Sequence, residues 1–79
     1  MKDKLKLNEG EILKFERTTK GPIAGEDLNE YSIVDAKGNI VGKVVHRDHS
    51  YSNGNRRTQS VCQTDAEGNV LVNRGWTGD

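Results

Sequence analysis

The chain has 79 residues, 32% of them hydrophobic, with twelve basic and twelve acidic side chains and a formal net charge of zero. One domain of this length buries only roughly 60% of its unfolded surface. A balanced charge excludes both a strongly basic nucleic-acid coat and a strongly acidic phosphate mimic.

Cys62 is the only cysteine, so no internal disulfide offsets the small core, and a reducing compartment is expected. The opening Met1-Lys2-Asp3-Lys4-Leu5-Lys6-Leu7 contains no apolar run of the kind a signal peptide or spanning helix needs. The expectation is a cytoplasmic protein, one domain over 1–79, with no membrane contact. Its core is small enough to invite completion by a partner, or by a second copy in a homodimer.

In chain order, Leu5 and Leu7 alternate with Lys4 and Lys6 and predict a short strand. Asn8-Glu9-Gly10 is a turn signal, and residues 11–18 are read as a strand, with a helix over 9–17 as the competing assignment. Residues 20–29 carry the only proline, two glycines and paired acids. They predict an irregular connector in which Ile23 and Leu28 cover the core.

The strongest signal is a repeat. Asp35-Ala36-Lys37-Gly38-Asn39-Ile40 recurs 30 residues later as Asp65-Ala66-Glu67-Gly68-Asn69-Val70. Asp opening a type I turn, with Gly three residues on in the left-handed region, predicts two hairpins with G1-bulge loops at Asp35–Asn39 and Asp65–Asn69. Their arms are 30–35 with 40–49, and 57–65 with 70–76. A polar loop over 50–56 joins them, and the tail 77–79 is expected to fray.

The fold class is therefore all-β, or β-rich α+β: a small antiparallel meander of four to six strands, open or curled into a partial barrel. Simple hairpin geometry pairs Ile33 with Val41, Tyr31 with Lys43 and Cys62 with Val72. Joining the hairpins suggests Val45 beside Val61. On that register one face carries Val34, Ile40, Val44, Cys62, Val70, Val72 and Trp76. The other carries an aliphatic centre of Ile33, Val41, Val45, Val61 and Leu71, and would be an apolar interface.

No cofactor or metal is expected. His46 and His49, three apart on a strand, project to opposite faces, so His46 is read as a hydrogen-bonded histidine at a sheet edge. Trp76 is expected to plug the core, and Cys62 to act as a small buried hydrophobe. The tripeptide His46-Arg47-Asp48 also occurs in kinase catalytic loops, but none of the accompanying motifs is present.

The candidate partner-binding residues are Lys43, Arg47, His49, Tyr51, Asn53, Arg56, Arg57 and Gln59, on the basic and aromatic loop 46–57 and its stems. Arg and Tyr suit a protein hot spot, and the balanced charge favours a protein partner over nucleic acid. The expected function is a non-enzymatic binding protein, an accessory or inhibitory factor of the kind found on phages and plasmids. A nucleic-acid-binding module using the same loop is the first alternative. The second is a minimal ribonuclease or phosphodiesterase using His46 or His49.

Overall fold

Both copies of the repeated turn close hairpins. In the computed structural model, which describes residues 2–22, 24–50 and 57–78, Asp35 N donates to Asn39 O (2.9 Å) and Gly38 N to Asp35 O (3.0 Å). The second turn repeats this with Asp65, Gly68 and Asn69. Gly38 and Gly68 both sit at φ +87°, where a Cβ would crowd the backbone. Each Asp also accepts at Oδ1 from the amides two and four residues on. The carboxylate thus satisfies donors that the tight loop leaves unpaired.

Five strands result: β1 (Ile12–Lys20), β2 (Glu26–Val34), β3 (Ile40–Ser50), β4 (Arg57–Asp65) and β5 (Val70–Thr77). They form one antiparallel meander in the order β1-β2-β3-β4-β5. The sheet does not close into a barrel, and no α-helix occurs among the described residues. Of the expected 11–18 strand, residues 12–18 are strand rather than helix, and β1 extends the sheet by pairing with β2.

Leu5–Leu7 form no strand; after a 3₁₀ turn at Lys2–Lys4 the segment runs irregularly. The 20–29 connector is shorter than composition suggests, because Asp27–Asn29 pair with both β1 and β3, Glu26 pairs with β3, and all four belong to β2. Ile23 lies outside the described residues. The tail is held as far as Gly78, whose amide donates to Arg57 O at 2.7 Å.

The register departs from simple hairpin geometry in two equivalent places. Val34 pairs with Ile40, but Ile33 pairs with Gly42, leaving Val41 as the extra residue of a bulge. Thr64 pairs with Val70, but Gln63 pairs with Val72, leaving Leu71 extra in the same way. Between the hairpins, Val45 stands opposite Cys62 rather than Val61. A one-residue shift moves a side chain to the other face. Together these offsets sort the aliphatics.

Ile33, Val44, Val61 and Val72 are all buried on one face, which also carries Tyr31, His46, Gln59, Gln63 and Trp76. The other face carries Ser32, Lys43, Val45, Arg47, Ser60 and Cys62. The five residues read as one apolar interface are therefore divided. Ile33 and Val61 are in the core, Val41 and Leu71 are the bulge residues, and only Val45 stands on the second face.

A line of side-chain hydrogen bonds crosses the core face. Thr18 Oγ1 donates to Asn29 Oδ1 (2.7 Å), and Asn29 Nδ2 meets His46 Nδ1 (3.2 Å). His46 Nε2 meets Gln59 Oε1 (2.7 Å), and the Gln59 amide donates to the Gly78 carbonyl. Because each amide oxygen and nitrogen has one assigned partner, His46 fits as the neutral tautomer that donates from Nε2 and accepts at Nδ1. The ring is buried on the central strand, not at an edge, and stacks on Trp76 (centroids 6.0 Å, 23°). Trp76 is half-buried rather than a sealed plug.

Candidate functional site

Cross-strand pairing assembles a polar cluster on the second face. Arg47 stands opposite Ser60 and His49 opposite Thr58 on one side of β3. On the other side Arg47 stands opposite Leu28, and His49 opposite Glu26. Directly opposed residues on one face lie about 5 Å apart at Cβ. Glu26, Arg47, His49, Thr58 and Ser60 therefore share one patch, and they line a recess of about 140 Å³.

Glu26 is the unusual member. It is 3% exposed, lodged beneath the β1–β2 loop. A Cβ on Gly21 would come within 2.1 Å of its Oε1, so any larger residue there would push the Glu26 side chain out of its place. Gly21 N donates to Glu26 O (2.8 Å), fixing the loop over the side chain. Oε1 has no hydrogen-bond partner among the described residues, and Oε2 lies 3.6 Å from Arg47 Nε. A buried carboxylate needs a counter-charge, and Arg47 supplies it from the Nε edge. The Arg47 side chain is 53% exposed and lines the recess together with Thr58 and Ser60. Anchored guanidinium plus hydroxyls is a donor set for a carboxylate or phosphate oxygen.

The remaining candidates divide. Lys43 lies farther along β3 on the same face. Arg57 and Gln59 are on the core face instead. Arg57 holds Asp48 in a two-point pair (Nε–Oδ1 2.9 Å, Nη2–Oδ2 2.6 Å), which keeps the Asp48 carboxyl below the ordinary range. Gln59 is committed to His46 and Gly78. Tyr51, Asn53 and Arg56 lie outside the described residues.

Glu26, Thr58 and Ser60 escaped the sequence reading. Glu26 sat in a stretch that composition assigned to a loop. Extending β2 back to residue 26 places it opposite Asp48 on simple hairpin register, and the bulge at Val41 is what moves it opposite His49. Cys62, expected inside, is half-buried on this face beside Val45.

At the turn end of the same face, Ile12, Val34 and Ile40 form a cross-strand row, with Ile12 and Ile40 both more than half exposed. At the other end of the face the β1–β2 loop lies over Glu26.

Among the described residues, no three of His, Cys, Asp and Glu gather as a metal site. Among the described residues no helix is long and apolar enough to cross a membrane. Comparison with protein-family models, with curated proteins and with solved structures gave no match.

Proposed function

We propose that the chain is a non-enzymatic binding protein whose open sheet face docks on an acidic patch of a partner protein. The observation that carries this reading is the exposed Arg47 side chain, with Nε 3.6 Å from a buried Glu26 carboxylate, lining one recess with Thr58 and Ser60. Holding the fork in place lowers the ordering cost of each new hydrogen bond to a carboxylate. The aliphatic row at Ile12, Val34 and Ile40, with Val45 and Cys62 between it and the recess, supplies the apolar part of a contact surface. A net charge of zero gives little long-range pull on a polyanion, which favours protein over nucleic acid. Inhibition by such a protein is occlusion: it covers a surface its partner needs.

A minimal ribonuclease is the second reading, favoured by the proximity of Glu26, Arg47 and His49. In that reading Glu26 would have to reach substrate, whereas its burial suits an anchor for Arg47 better.

The test is capture of host proteins by the immobilised chain, compared with an Arg47→Lys variant and a Thr58→Ala/Ser60→Ala variant. Both keep a positive charge opposite Glu26. The expected result is a partner retained by the parent chain and reduced at least ten-fold by Arg47→Lys. Equal retention by all three removes the recess from the contact. RNA cleavage abolished by His49→Ala would replace the proposal with the second reading.

A further inference from the structure

The core face has its own occupant. Gln63 on β4 is 1% exposed, yet its amide is spent on one residue of the N-terminal segment. Lys6 N donates to Gln63 Oε1 (2.8 Å), and Gln63 Nε2 donates to Lys6 O (2.7 Å). One side chain thus satisfies both main-chain groups of a single residue, as a neighbouring strand would, and without regard to that residue's identity.

Two positions earlier, the Lys4 ammonium lies 4.7 Å from the Trp76 ring centroid, and its side chain is only 23% exposed. That is an aromatic seat for a cation. Leu5 and Leu7 are half-buried between and beyond these contacts.

The segment adds no strand to the sheet, and it joins β1 through an exposed turn closed by Glu11 N on Asn8 O (3.1 Å), with Gly10 at φ +84°. Beside it a recess of about 420 Å³ opens towards Leu71 and Arg74 of β5.

We propose that Gln63 and Trp76 form a binding site for an extended peptide of a partner protein in which basic and aliphatic residues alternate, and that residues 2–8 are its resident occupant. Gln63 reads the peptide main chain, and Trp76 reads a basic side chain two residues before the clamped position. The tethered segment competes at an effective concentration on the order of millimolar, so a partner peptide enters when the segment lifts.

The experiment uses the full chain carrying Lys6→Pro, which removes the amide donated to Gln63, and a labelled peptide with the sequence of residues 2–8. The peptide is expected to bind the variant at least ten-fold more tightly than it binds the parent. Replacing its Lys4 equivalent by Ala should weaken binding several-fold, and Gln63→Met added to the variant should abolish it. Equal binding to parent and variant overturns the proposal. So does equal binding of a scrambled peptide of the same composition, which would mean charge attraction alone. A concentration-dependent dimer of the Lys6→Pro chain that excludes the peptide would assign the site to a second copy and overturn the partner assignment.

If Lys6→Pro fails to fold, hydrogen exchange of the parent decides. The Lys6 amide is expected to exchange at least 100-fold faster than those of Val44 and Val61. Exchange at their rate makes the segment part of the global fold and sinks the idea.

Discussion

The two faces of this sheet are built from alternate residues of the same strands, and they have opposite characters. Val44 is fully buried while Val45, the next residue, is 36% exposed. His46 then has both ring nitrogens engaged, while Arg47 after it is an exposed cation. One face collects the four buried aliphatics and a continuous line of satisfied amides, and is crossed by the N-terminal segment. The other collects charges, hydroxyls and a few exposed aliphatics, with the β1–β2 loop over Glu26 at one end. The difference teaches that the buried aliphatics fall on one face once the bulges are counted. Without them the same strands read as greasy on both sides. A sheet sorted this way does not need a second lid to be stable, so the aliphatics left on the open face are free to serve a partner.

The strongest way to break the contrast is to shift a strand past its bulge. Deleting Asn73 should carry Trp76 into the place of Gly75, opposite Ser60 on the open face, and lower the melting temperature more than any single substitution below, whereas deleting the bulge residue Leu71 leaves Val72 opposite Gln63 and should cost far less. A melt of the Asn73 deletion that matches the parent would show that the register does not set the faces.

Next comes the core itself. Val44→Ala should cost about 2–3 kcal/mol from lost transfer and the cavity left behind, read by urea denaturation.

A smaller effect lies in the charges at the far end of the core face. Asp48 is held below its ordinary range chiefly by the hydrogen bonds from Arg57. Asp35 and Asp65 are lowered too, foremost by the backbone amides of Asn39 and Asn69. A depressed carboxyl in the folded state contributes stability that is full above the unfolded value of about 3.9, and is lost as pH falls through the folded value. The melting temperature should therefore fall below about pH 4–5. Asp48→Asn should cost about 1 kcal/mol at neutral pH and flatten part of that acid limb.

Smallest of all, Val45→Ala should change stability by less than about 0.5 kcal/mol. A cost for Val45 equal to that for Val44 would erase the distinction between the faces.

Much of the fold was legible because turn chemistry is local. Asp35, Gly38 and their repeats at Asp65 and Gly68 dictate loop length and strand direction through contacts within five residues. The bulges at Val41 and Leu71 were not legible. Nothing in their side chains demands an extra residue; packing Ile33 against Gly42, and burying Val72, decides it after the strands meet. A Cβ on Gly42 would come within 2.7 Å of Thr64 O, and this close approach is the trace the bulge leaves in sequence. The offset between β3 and β4 depends on the same long-range burial.

Of the candidate site, Arg47 and His49 were visible as charged and polar residues on one strand. Their neighbours Glu26, Thr58 and Ser60 come from other strands and required the register. Arg57 and Gln59 were misplaced for the same reason: the shift of one residue carries them to the core face.

Cys62 offers the most direct test of the open face as the docking surface, because the lone thiol stands on it beside Val45. With the captured partner in hand, the rate of Cys62 alkylation is measured for the free chain and for the complex. The account predicts steady labelling of the free chain and at least ten-fold protection on binding. Unchanged labelling in a saturated complex would contradict it and move the contact elsewhere on the molecule.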